Sequence, residues 1–203
     1  MRTRDFRLMV LCLLSSLVVG GASVVVQGPL PGDVVTTKTM QALLGPRPAW
    51  AEPLSRTATF PLSLVLAAAA SALAVAKSGW PAAALPPVAY VSALLWNLVL
   101  RAVIHVPRPG GGVVEVAKVS SDSGLPSTFA LVYGCVLGVV VAGKSREKLT
   151  GRIVDVLALG LVTIGCAARV VLGGHWPSQV ISSLLLAFGI SFALSLAVPR
   201  MRS

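Results

Sequence analysis

The chain has 203 residues, 55% of them hydrophobic and only 12% charged, with a mean hydropathy of +0.85. Soluble domains carry about 25% charged residues, so this composition excludes an ordinary soluble domain and indicates one membrane domain, residues 1–203, with no room for a second. The net charge of +10 does not point to nucleic acid, because no basic stripe with interleaved aromatics is present; cations between apolar runs set topology and meet lipid headgroups.

The first apolar run, Leu8–Val26, follows Arg2, Arg4 and Arg7. This arrangement also fits a cleaved signal peptide ending near Gly20-Gly21-Ala22-Ser23, but the apolar stretch continues to Val26, which favours a retained helix. After the break at Gly28-Pro29-Leu30-Pro31-Gly32, the segment Asp33 to Leu44 is mildly amphipathic and reads as an interfacial helix or an ordinary loop. Five more runs follow: Phe60–Ala76, Ala84–Ile104, Phe129–Ala142 (extended back through Ser127 and Thr128), Ile153–Leu172 and Val180–Val198. A bilayer needs about 20 residues per helical span. The hydrophobicity is continuous and not alternating, which excludes a barrel and predicts helices. The expected fold is therefore all-α, an integral membrane bundle of six transmembrane helices. Cys12, Cys135 and Cys166 each lie inside an apolar run, so no disulfide and no metal site is expected.

Orientation follows from the cations. With the N-terminus inside, ten of the seventeen Lys and Arg residues fall on the inner segments and seven on the outer ones. Both termini are expected in the cytoplasm of a bacterial-type plasma membrane. The outer level then collects three clusters: Arg101 to Pro109, Pro126-Ser127-Thr128-Phe129, and Arg169 to Gln179. Each suits a phosphate. Arg101 and Arg108 are two helical turns apart and can share one face, and guanidinium forks grip phosphate oxygens. Ser127 and Thr128 open a helix, where free N–H groups and the dipole favour an anion. Arg169 adds a third fork, and His175 follows the flexible Gly173-Gly174.

These clusters resemble the motifs of the type 2 phosphatidic acid phosphatases, also called lipid phosphate phosphatases. Arg101-Ala-Val-Ile-His-Val-Pro-Arg108-Pro109 is similar to the first motif, with Arg for the usual Lys. Pro126-Ser127 is similar to the start of the second, and Ala168-Arg169 with His175 to the third. The resemblance covers the second half of the chain. It implies that Arg101, Arg108, Ser127 and Arg169 bind the phosphate, joined by Thr128 from the helix start, and that His175 is the nucleophile forming a phosphohistidine. It implies a lipid phosphate or diphosphate substrate, no cofactor and no metal; the orientation from the cations puts the site on the extracytoplasmic face, and protein partners are unknown. His105 matches no family role and reads as interfacial.

Two positions depart from the pattern. The family's general-acid histidine is Phe129, placed across the pocket from position 179. The aspartate that orients the nucleophile is Gln179, which can fix the tautomer of His175 but brings no charge. A lipid alkoxide needs a proton to leave; a lipid monophosphate does not. The expected substrate is therefore an isoprenyl or other lipid diphosphate. Glu115, Asp122 and His105 are candidate substitute acids, though a solvated loop charge is the simpler reading of the two carboxylates. Alternatives are a protein that binds or moves a lipid phosphate without turning it over, and a lipid phosphotransferase.

Overall fold

The computed structural model describes residues 2–197, and among these every regular element is helical, with no strand. The helices are α1 (Arg2–Val26), α2 (Asp33–Leu44), α3 (Ala51–Arg56), α4 (Leu62–Ser78), α5 (Leu85–Val103, after a 3₁₀ turn at Trp80–Ala84), α6 (Thr128–Ala142), α7 (Lys148–Val171) and α8 (Pro177–Ala197). Every predicted span becomes a helix, with ends shifted by a few residues. Val198, the predicted end of the last one, and the cations Arg200 and Arg202 lie outside the described residues. Four stretches are long and apolar enough to cross a membrane: Thr3–Val26, Trp80–Val103, Lys148–Val171 and Pro177–Ala197. Leu62–Ser78 and Thr128–Ala142 are apolar but shorter.

Helix α6 is the centre of the bundle. It is apolar on every side, and its residues Phe129 to Val140 are all buried, as a helix surrounded by other helices must be. Small residues set the approach of α8: a methyl group on Gly138 would lie 2.5 Å from Ser191 Oγ. The Ser191 hydroxyl in turn donates to Ala187 O at 2.8 Å within its own helix. Helix α1 lies along the other side of α8, tied by reciprocal bonds from Ser16 Oγ to Ser182 O (2.8 Å) and from Ser182 Oγ to Ser16 O (3.2 Å).

Two polar features stabilise the ends of the bundle. Lys77, one of the ten cations expected on the inner side, is buried. Its ammonium caps α6 by donating to Val140 O and Val141 O (2.9 Å each), and it pairs with Asp155 at 2.5 Å. A cation at a helix C-terminus meets the negative end of the dipole and the orphan carbonyls together. Helix α2 is the segment read as either interfacial or loop. It is a helix whose polar stripe, Asp33, Thr37 and Gln41, is buried against the protein, while Val35 and Leu43 are exposed.

Candidate functional site

The three clusters meet at one end of the bundle. Arg101 lies in the last turn of α5. Its Nε donates to Asn97 Oδ1 (3.2 Å) and its Nη2 to Pro126 O and Thr128 Oγ1 (3.2 Å each). Thr128 Oγ1 donates to the same Asn97 oxygen at 3.0 Å. The Thr128 hydroxyl, expected at the phosphate, is therefore spent on holding Arg101. Helix α5 ends at Val103, so Arg108 does not share a helical face with Arg101. It converges on it from a loop, and both guanidiniums donate to the Ser123 carbonyl, at 3.4 and 3.3 Å. Burial and the nearby Arg101 lower the Arg108 pKa, with Asp122 opposing from 4.0 Å.

Arg169, in the last turn of α7, donates from Nη1 to Ser55 Oγ at 2.5 Å, and its buried Nε has no partner among the described residues. The turn after α7 works only with glycine at 173. Its φ is +62°, and a methyl group there would lie 2.2 Å from Glu115 O; a side chain would be strained on both counts. This turn delivers His175, which is 1% exposed, with Nδ1 2.8 Å from Gly124 O. Burial lowers the His175 pKa well below its ordinary value. Arg169 and Arg108 lower it further, the Gly124 bond opposes, and Arg101 adds to the depression. The ring is therefore neutral at pH 7. Facing a carbonyl, which only accepts, Nδ1 carries the proton and Nε2 keeps its lone pair.

Ser127 starts α6, fully buried. Its amide donates to Ser183 Oγ at 2.8 Å, and its hydroxyl makes no hydrogen bond to the described residues. A buried hydroxyl without a partner is uncommon and suits a ligand oxygen.

Two expected placements are corrected. Gln179 does not hydrogen-bond the His175 ring. Its Oε1 turns back to the Trp176 amide (3.1 Å), as the third residue of α8 does in a capping box, and its Nε2 donates to Pro107 O (2.8 Å). The ring nitrogen expected on Gln179 goes to Gly124. Phe129 does not stand across the pocket from it either: its ring stacks on Tyr133, centroids 4.1 Å apart, and lies against Gly165 of α7 inside the core. His105 is exposed. Glu115 is exposed, and its backbone amide and carbonyl are held by Gln41.

Sequence reasoning missed Asn97, Ser123, Gly124, Ser55 and Asp33. Asn97 left a signal, since an amide one turn before Arg101 in an apolar helix is costly without a partner. The others sit in loops or short helices, where spacing says nothing of direction.

Four helices able to cross a membrane, with three arginines and a neutral histidine gathered at one end, define an integral membrane protein with a candidate anion site. The chain belongs to the PAP2 superfamily, whose family model matches residues 82–202, a stretch that includes all three motifs. Among solved structures it is similar to a transmembrane PAP2 type phosphatidylglycerolphosphate phosphatase from Bacillus subtilis, at 17% identity and a TM-score of 0.57 over 95% of this chain and 93% of that one. At that identity the likeness is one of fold. No curated protein matches the chain.

Proposed function

We propose that the protein is a lipid phosphatase whose nucleophile is His175. It acts as one domain of six membrane-crossing helices, residues 1–203, with both termini cytoplasmic and the pocket at the extracytoplasmic face. The observation that carries this reading is the buried, neutral imidazole, with Nδ1 tied to Gly124 and three guanidiniums around it. Nε2 attacks the terminal phosphorus. The Nε2–P bond forms as the bond from phosphorus to the leaving oxygen breaks, and that oxygen departs with the electron pair. Water then attacks phosphorus, and the P–N electron pair returns to Nε2. The water's protons end on inorganic phosphate and solvent. Arg101, Arg108 and Arg169 offset the charge of the phosphoryl oxygens, and the free Ser127 hydroxyl donates to one of them.

The substrate follows from the missing acid. The Phe129 ring packs in the core, and Asp122 faces Arg108. The leaving group must therefore depart unprotonated, which a lipid monophosphate does and a lipid alkoxide does not. Isoprenyl and other lipid diphosphates are the preferred substrates over phosphatidic acid. Phosphate release from purified protein given a panel of lipid phosphates tests this. Release should be fastest from the diphosphates and absent in His175→Ala. Equal rates on phosphatidate would refute the preference, and turnover by His175→Ala would refute the nucleophile.

The position of Gln179 favours a second reading. With no carboxylate on the ring, the site could hold a lipid phosphate without cleaving it, for presentation to a partner or movement across the membrane. Retained lipid binding without any phosphate release would select this reading.

A further inference from the structure

Gly124 is held on three sides. Its amide donates to Val106 O at 2.7 Å, and its carbonyl accepts from His175 Nδ1 at 2.8 Å. Its α-carbon faces the Gln179 amide so closely that a methyl group would lie 2.5 Å from both Nε2 and Oε1. That amide cannot easily retreat, because Trp176 N–H holds its oxygen and Pro107 O holds its nitrogen. Val106 and Gln179 are both fully buried. The frame around one edge of the imidazole is thus backbone plus one fixed amide.

We propose that the Gly124 carbonyl is the group that orients His175, with Gln179 as its buttress. Gly124 is then a positioning residue for the reaction, and position 179 acts through it. The proposal rests on the reading of His175 as nucleophile and adds how that nucleophile is aimed. A carbonyl accepts but never donates, so it fixes the Nδ1–H tautomer and leaves the Nε2 lone pair for phosphorus. When the Nε2–P bond forms, the ring gains positive charge and the Nδ1–H···O bond becomes charge-assisted. It therefore strengthens toward the transition state and not in the ground state, which is what accelerates a step. A carboxylate in this place would also attract the neighbouring guanidiniums away from phosphate. The carbonyl supplies the direction without a competing anion.

The test uses the full chain in lipid nanodiscs with ¹⁵N-labelled histidine. The chain has two histidines, and His105→Gln assigns the second set of resonances to His175. At pH 7, His175 should show a protonated Nδ1 and a bare Nε2. Gly124→Ala should mix or invert the tautomers and lower kcat for a prenyl diphosphate about 10²-fold, the cost of misaiming a reacting group by about an ångström. KM, set by the arginines, should move by less than about threefold. The same Gly124→Ala change should cost far less when added to Gln179→Ala, which clears the clash. If Gly124→Ala alone does not fold, the double variant measured against Gln179→Ala carries the comparison. An Nε2–H tautomer would overturn the proposal, as would unchanged resonances and kcat in Gly124→Ala. So would faster turnover by Gln179→Asp, which would mean that position 179 itself faces the ring. The tautomer is read without turnover. A Gly124-held ring in a chain that releases no phosphate would refute the phosphatase reading and leave this assignment standing.

Discussion

Asp33 of α2 caps α8 from a different helix: its Oδ1 accepts the Ser178 amide at 2.8 Å, and its Oδ2 accepts the Ser178 hydroxyl at 2.6 Å. Oδ2 also takes the Leu30 amide at 2.8 Å. A buried carboxylate at a helix N-terminus meets orphan N–H groups and the positive end of the dipole. Eight residues on, Gln41 donates to Glu115 O and Val171 O, at 2.8 and 2.9 Å. Helix α2 therefore fixes both sides of the turn that presents His175.

Asp33→Asn is expected to destabilise the protein although it is nearly isosteric. The Ser178 and Leu30 amides can only donate, so the new NH₂ must face a donor. A buried group left unsatisfied costs about 1–3 kcal/mol. Thermal unfolding in detergent should fall in the variant, and an unchanged midpoint would rule out the cap.

The pH dependence follows from His175. Its pKa is depressed in the fold, so between that value and the unfolded value near 6.5 the unfolded chain binds the extra proton. The resulting stability is complete above about pH 6.5 and is lost as pH falls below it, at up to about 1.4 kcal/mol per pH unit for one proton. His175→Gln should flatten that acid slope in unfolding experiments. On the proposed reading of His175 as nucleophile, the free protein keeps the ring neutral through this range, so kcat/KM should show no acid limb from it near pH 6.5. A limb there would mean that the ring titrates normally.

Ser55 holds Arg169 by a single hydrogen bond. Ser55→Ala should loosen the guanidinium without removing it. A net hydrogen-bond contribution of about 0.5–1.5 kcal/mol predicts a rise in KM of about two- to twelvefold for a lipid diphosphate. Arg169→Lys should cost more, because an ammonium cannot reproduce the fork. If Ser55→Ala matches the parent protein in steady-state kinetics, the bond contributes nothing to phosphate binding.

Lys77 and Asp155 give a contrasting case at the opposite end of α6 from Ser127, where Lys77 caps the helix C-terminus. Lys77→Met removes the cap on Val140 and Val141 and leaves Asp155 unpaired. Breaking a buried pair costs about 3–5 kcal/mol, and the partial exposure of Asp155 places this one toward the lower end. The unfolding temperature should drop while KM at low temperature is unchanged.

Much of this was legible in the sequence. The apolar runs announced the helices, because a membrane leaves few other ways to satisfy a backbone. The three clusters announced a place where side chains gather, because arginines in apolar helices are costly unless used, and the structure brings those clusters together at one end of the bundle. What could not be read was the direction of side chains. Gln179 lies one turn after His175, a spacing compatible with facing the ring or turning back to the Trp176 amide; the start of α8 at Pro177 decides for the amide. Arg101 and Arg108 have helical spacing, yet they converge through the Ser123 carbonyl because α5 stops at Val103. Gly124 has no side chain to attract notice, and its carbonyl is visible only in three dimensions.

Phe129→His tests how far one residue can restore the general acid expected from the family resemblance. The ring at this position stacks on Tyr133 and lies against Gly165, where a side chain on α7 would collide with it. An imidazole placed there enters an apolar core with no partner, which costs about 1–3 kcal/mol for the unsatisfied group, in addition to the lost stacking. It also packs against Gly165 of α7, a placement that on the proposed reading does not serve the leaving oxygen. The variant is expected to unfold at a lower temperature, with no gain on phosphatidate and, on the proposed reading, no change in the preference for diphosphates. Phosphate release from both substrates measures this directly. A variant that hydrolysed phosphatidate at the diphosphate rate would show that the position 129 side chain reaches the pocket after all, and that the missing proton donor alone sets the substrate preference.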